Sequence, residues 1–127
     1  MFPLLVIDRA YRVLDANQGA WALLGELLPI EGLVDLGELN LAAFVFASGA
    51  GASIIENHDA VARELLSRMQ RELLADPDHV ALRSLLDEIL AADAVPDAWR
   101  QPDLAMPAAA TLPLRVRVGA QTWSFVL

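Results

Sequence analysis

The chain opens on a strand-like rhythm. Leu4-Leu5-Val6-Ile7 is an apolar run with β-branched members, Asp8-Arg9-Ala10 carries turn residues, and Tyr11-Arg12-Val13-Leu14 resumes the run, which predicts a hairpin. Asp15 or Asn17 then offers a helix N-cap. Trp21, Leu24 and Leu28 follow three to four residues apart, so they predict a helix with one inward apolar face, stopped at Pro29. Gly32 to Gly37 reads as a loop with a short turn.

Leu39 to Ile55 carries no charge over seventeen residues, which approaches the length of a bilayer span. Ala, Gly, Ser and Asn40 dilute it, and the strongly apolar part is only Leu41 to Phe46. The Ser48-Gly49-Ala50-Gly51-Ala52-Ser53 stretch breaks a helix in water, so the prediction is a buried short helix followed by a flexible loop, not a membrane segment.

From His58 onward the period lengthens. Val61, Leu65, Leu66, Met69, Leu73 and Leu74 form one stripe, while Arg63, Glu64, Arg71 and Glu72 fall mostly elsewhere. Asp76-Pro77 follows, with Asp76 placed to cap a new helix and Pro77 in its first turn, where a missing N–H costs nothing. Leu82, Leu85, Leu86, Ile89 and Leu90 supply the buried face of that second helix, predicting an antiparallel helical hairpin. Four of the seven prolines fall between Pro96 and Pro113 and mark a short helix around Asp97 to Arg100 and an irregular crossing. Leu112 to Val118 and Gln121 to Leu127 then flank Gly119-Ala120 as a second hairpin, with Leu114, Val116 and Val118 on one face and Arg115 and Arg117 on the other.

Strands at both ends and helices between them predict an α+β fold: one antiparallel sheet built from the two hairpins, with helices packed on one face. A length of 127 residues suits one domain, 1–127, and 56% hydrophobic residues supply its core. The charge balance is 9 basic, all Arg, against 17 acidic residues, a net charge of -8. The arginines form no run, so neither a polyanion nor an acidic membrane surface is an expected partner of this chain. Cys is absent, which excludes disulfides, thiolate metal sites and cysteine nucleophiles. Met1-Phe2-Pro3 lacks the basic flank of a signal peptide.

Catalytic signals are few. His58 and His79 have no metal-ligand spacing and read as polar residues at helix starts, although Asp76 and Asp78 lie near His79. Gly49-Ala50-Gly51 begins like a dinucleotide fingerprint but lacks the third glycine. No nucleophile elbow or phosphate loop occurs, and Glu64, Glu72, Asp87 and Glu88 take positions of solvated helix faces, so no enzyme and no metal or cofactor is expected. Trp21, Phe44, Phe46, Trp99, Trp123 and Phe125 either fill the core or line a ligand cavity.

The opening, Pro3 to Arg9 with Val13 to Asn17, resembles that of a PAS-type sensor domain. Asn40-Leu41, Glu56 to Leu66, Asp76-Pro77-Asp78, Ala98-Trp99 and Leu112 to Arg115 resemble, in order, successive blocks of the MmyB-like ligand-binding domain of XRE-type helix-turn-helix regulators. The resemblance spans nearly the whole chain. It implies a PAS-like sensor in a bacterial regulator that holds a fatty-acid-like effector between sheet and helices and meets DNA only through a helix-turn-helix domain absent from this chain; a homodimer is expected, and the lack of Cys suits a cytoplasmic location. Candidate ligand contacts are Trp21, Leu24, Phe44, Phe46, Val61, Leu65, Trp99 and Trp123. Arg63 matches a family block and suits a carboxylate head, and its alternatives are a surface pair with Asp59 or Glu64 or a tie from helix to sheet. Asn17 and Asn57 either cap helices or touch ligand. His58 departs from the family, which places Trp there, and the family continues past Leu127 with another strand, so the chain reads as part of a longer regulator. The rival reading is a ligand-free dimerisation or interaction module with a dry core. A small hydrolase has no motif behind it.

Overall fold

The computed structural model describes residues 2–27, 38–46, 50–92, 95–102 and 111–127. Strands β1 (Leu5–Ile7) and β2 (Val13–Ala16) form the first hairpin, followed by helices α1 (Gln18–Leu27), α2 (Leu41–Phe46), α3 (Ala50–Ile54), α4 (His58–Ala75) and α5 (Val80–Leu90). A 3₁₀ turn covers Asp97–Trp99, and β3 (Pro113–Val118) with β4 (Gln121–Val126) closes the order. The class is α+β, as the pattern of elements predicts.

The first hairpin turns on Asp8. Its Oδ1 accepts the N–H of Ala10 at 2.8 Å and of Arg12 at 3.0 Å, and its Oδ2 takes Arg12 Nε at 2.9 Å. Desolvation pushes this carboxyl up, but the bonds from Arg12 and Ala10 outweigh it and hold the group below the usual carboxylate range. The register slips between Val6 and Ile7, so a bulge re-aims the strand just before the turn. The second hairpin is regular from Pro113↔Val126 to Val118↔Gln121. Gly119, at φ 59°, supplies the left-handed residue its two-residue turn needs, and a Cβ there would meet nothing within 4 Å, so the backbone angle alone reserves the position.

The expected single sheet is two. Among the described residues β1 pairs only with β2 and β3 only with β4, although the Phe2 and Phe125 rings meet at 6.1 Å and bring the two hairpins side by side. Each hairpin spends further backbone bonds on a segment flanking a helix. Val13 N–H donates to Leu39 O at 3.0 Å and Leu41 N–H to Tyr11 O at 2.9 Å, while Glu56 N–H donates to Arg115 O at 2.9 Å beside an Ile55↔Val116 bridge.

Three asparagines, each one residue ahead of a helix, tie helix starts to the hairpins or the segments that flank their strands. Asn17 Oδ1 caps α1 by accepting Ala20 N–H at 2.8 Å, also accepts Leu4 N–H at 3.1 Å, and its amide donates to Phe2 O at 2.8 Å. Asn40 accepts Ala43 N–H at 3.0 Å and donates to Ala10 O at 2.8 Å. Asn57 makes no cap bond and turns to β3, donating to Pro113 O at 2.9 Å and accepting Arg115 N–H at 3.0 Å.

The core is centred on α4. Val61, Leu65, Leu66 and Met69 are at most 1% exposed and pack with Val45 of α2, Leu82 and Leu86 of α5, and Leu114 and Val116 of β3. Gln70, also buried, donates to Trp99 O at 2.9 Å and holds the 3₁₀ turn against α4. Arg100 closes the C-terminal end of α5 by donating to Leu90 O, a carbonyl that the helix end otherwise leaves open, and reaches the following segment at Ala92 O, 3.3 Å, and Val95 O, 3.4 Å.

Several local expectations change. Ala50–Ile54 is helical rather than loop, because burying Ile55 and half-burying Ile54 against the core outweighs the poor propensity of Gly51. The cap of α5 is His79, whose Nδ1 accepts Leu82 N–H at 3.1 Å, while Asp76 pairs instead with Arg9 at 3.1 Å. Leu74 leaves the α4 stripe and is exposed. Leu28, Pro29, the Gly32 to Gly37 loop, Ser48 and Gly49 lie outside the described residues.

Candidate functional site

Side chains four, seven and eleven positions apart share one face of a helix. On α4 that spacing aligns Val61, Leu65, Arg68 and Glu72, so the face begins apolar and ends charged. Val61 and Leu65 are wholly buried, and the charged end lies beneath the first hairpin, where Tyr11 O–H donates to Glu72 Oε1 at 3.4 Å.

Tyr11 is itself unusual. Its backbone sits at φ 64°, a region that L-residues with bulky side chains rarely adopt, and the side chain is only 5% exposed. Bonds on both sides over-determine it: its N–H donates to Asp8 O at 3.0 Å and its carbonyl accepts Leu41 N–H at 2.9 Å. Burial pushes the phenol far above its ordinary value, the Glu72 carboxylate adds to this, and the Arg68 charge opposes it.

Arg68 completes the group. Its side chain is half-buried, and among the described residues its buried Nη2 has no hydrogen-bond partner. A guanidinium only donates, so the remedy for a buried, unmatched N–H is an acceptor brought to it. Tyr11, Arg68 and Glu72 thus form a polar group at the edge of the packed core, where the unmatched Arg68 N–H could meet an acceptor.

The sequence-predicted contacts do not gather in one place. Val61 and Leu65 are in the core, and Phe44, Phe46 and Trp99 are half-buried against it. Trp123 lines a separate cleft of about 380 Å³ between α1 and β4, with Pro3, Ala22, Leu23, Glu26 and Gln121. On α1, Ala20 is the buried residue, Leu24 is half-buried and Trp21 is 37% exposed, so the face expected to carry Trp21 inward is rotated away from it. Arg63 stands on the exposed side of α4. The sequence reading missed Tyr11, Arg68 and Glu72 as a group; the available signal was that Arg68 and Glu72 continue the Val61–Leu65 spacing.

His58 sits at the other end of α4. Its Nε2 donates to Val45 O at 2.7 Å, joining the first turn of α4 to α2, and a hollow of about 270 Å³ beside it is lined by Ala52 and Ile55 through Ala60. Among the described residues no group of three or more His, Asp or Glu side chains could hold a metal ion, and no helix is long and apolar enough to cross a membrane.

The family model of the MmyB-like transcription regulator ligand binding domain matches residues 1–125, nearly the whole chain, and the chain belongs to that family. It is a ligand-binding domain of the regulatory kind. No curated protein and no solved structure matches it.

Proposed function

We propose that this MmyB-like domain senses a fatty-acid-like apolar effector held between the first hairpin and the helices, within a cytoplasmic bacterial regulator whose helix-turn-helix domain contacts DNA. The family match over residues 1–125 carries the reading. The buried Arg68 Nη2 beside Tyr11 and Glu72, at the edge of the apolar core, supports it, because an effector with an acceptor at its polar end would meet that N–H. The mechanism is differential affinity: an effector that binds one setting of α4 against the first hairpin better than another shifts the population the DNA-binding domain responds to.

A ligand-free dimerisation module is the second reading, favoured by one observation. Phe2, Leu4, Leu5 and Val6 around β1 and Val126 of β4 are exposed large apolar residues on neighbouring hairpins, and β1 and β4 each keep an unpaired edge among the described residues.

Native mass spectrometry of the purified domain, followed by denaturing extraction, separates the two. One acyl species near one per chain supports the sensor. A lipid-free dimer whose delipidated form takes up no fluorescent fatty acid refutes the sensor and supports the interaction module.

A further inference from the structure

We propose that the cleft between α1 and β4 is a second ligand site, selective for a small organic ammonium ion, such as a primary alkylamine, over neutral and anionic ligands. It shares no lining residue with the group of Tyr11, Arg68 and Glu72 and stands independently of the apolar-effector reading. Its volume of about 380 Å³ lies toward the lower end of the range of small-molecule sites. Two elements build it. Gln18, Ala22 and Glu26 recur every fourth residue and form one stripe of α1, while Gln121 and Trp123, two apart, share one face of β4. Ala20 is buried and Leu24 half-buried on another side of α1, so the helix packs through that side and leaves the Gln18 to Glu26 stripe to the cleft.

Charge decides what the cleft takes. Of the side chains that line it Glu26 alone is charged, and none of the arginines of the chain is among them. Among the described residues the arginine–carboxylate pairs go to Asp8, Glu56, Asp76 and Asp97, and none goes to Glu26. Glu26 also stands in the last turn of α1, where the helix dipole adds negative potential and no basic residue answers it. The carboxylate, the helix end and the net charge of -8 thus all favour a cation and oppose an anion. Trp123 suits the same ligand, because an indole face attracts an ammonium ion electrostatically. A primary ammonium has three donors and no acceptor. Glu26 takes one of them in a charge-assisted bond, and the side-chain carbonyls of Gln18 and Gln121 are acceptors for the others. Pro3, Ala22 and Leu23 offer apolar surface for the chain of the amine.

The test titrates the purified chain with hexylamine, which is protonated at neutral pH, and with hexanol and hexanoate, which share its chain and differ in the head. Binding is read by NMR from the indole N–H signals of the tryptophans, with that of Trp123 identified by Trp123→Phe. Hexylamine is expected to bind about tenfold more tightly than hexanol, the size of a charge-assisted hydrogen bond, with hexanoate weakest. Glu26→Gln should remove that preference, whereas Glu88→Gln, which deletes the same charge from an exposed position of α5, should keep it. Both positions are exposed, so the variants change the charge and leave the fold intact. Equal binding of hexylamine and hexanol, or tighter binding of hexanoate, overturns the assignment. So does a preference that survives Glu26→Gln or falls as far in Glu88→Gln, a response of Trp21 or Trp99 without Trp123, or failure of all three probes to bind.

Discussion

Asn17 is a point where one side chain fixes three pieces of backbone, and its removal gives a calculable loss. Its Oδ1 accepts Ala20 N–H at 2.8 Å and Leu4 N–H at 3.1 Å, and its amide donates to Phe2 O at 2.8 Å. Losing an N-cap acceptor costs about 1 kcal/mol. The bonds to Leu4 and Phe2 are solvent-exposed and belong at the low end of hydrogen-bond contributions, about 0.5 kcal/mol each. Asn17→Ala should therefore destabilise the domain by about 2 kcal/mol, equivalent to a fall in Tm of about 8 °C for a chain of this size. Asn17→Asp keeps both accepted bonds, since Asp caps as well as Asn, and loses only the donation to Phe2 O, where its carboxylate now faces a carbonyl. Its loss should be less than half that of Asn17→Ala. Urea titration with unchanged slope is the assay, because a constant slope assigns the shift in midpoint to stability. A loss below about 0.5 kcal/mol for Asn17→Ala, or equal losses for the two variants, would refute the reasoning.

Two further outcomes follow from the packing and from the second hairpin. Leu65→Ala, at a site 0% exposed, should cost about 2–5 kcal/mol, whereas Leu74→Ala on the same helix, 57% exposed, should cost less than about 0.5 kcal/mol; the same urea titration checks both. Arg117 and Thr122, bonding Glu56 Oε1 at 2.9 and 3.1 Å, hold that carboxyl below its ordinary range. A lowered folded-state value means that the unfolded chain binds the proton more readily. The contribution is therefore complete above the ordinary carboxylate pKa and lost as pH falls through the folded one. Glu56→Gln should accordingly have a lower urea midpoint than wild type at neutral pH, with the gap closing in acid and narrowing in salt; a gap independent of pH contradicts the assignment.

The long helices were legible because burial imposes a period. Val61, Leu65, Leu66 and Met69 repeat at helical spacing and occupy the core, and Leu114 and Val116 alternate with Arg115 and Arg117 as a half-buried strand requires. What local sequence did not show depends on distant parts of the chain. Ala50–Ile54 is a helix because Ile54 and Ile55 find a surface to bury against. His79 takes the cap that Asp76 was placed to supply, while Asp76 turns to Arg9, sixty-seven positions earlier. No residue signature announces a tyrosine at φ 64°, since that angle follows from bonds to Asp8 and Leu41. The candidate site was half legible. Its apolar wall follows from spacing, but Glu72 was set aside as a solvated charge although it falls in register with Val61 and Leu65, and Arg68 falls there too. A charged residue in an apolar stripe is the more informative letter, because keeping it there is costly unless something meets it.

The ties between the hairpins and α4 are unequal, and the inequality bears on how a signal would leave the domain. The second hairpin is joined by backbone to the segment that runs into α4, through the Ile55↔Val116 bridge and Glu56 N–H to Arg115 O, with both bonds of Asn57 added. The first hairpin is joined by backbone to Leu39 and Leu41, at the start of α2, but among the described residues its polar bonds to α4 and the α4 C-cap are side-chain contacts: Tyr11 to Glu72 at 3.4 Å and Arg9 to Asp76 at 3.1 Å. Long or exposed side-chain contacts yield before a backbone ladder does. At the far end, fourteen residues and about 20 Å along the helix, His58 holds α4 to α2 by the 2.7 Å bond to Val45 O. By hydrogen bonds the first hairpin and α2 are therefore joined to each other through backbone and to α4 through side chains, while Tyr11 itself packs into the core beside α4.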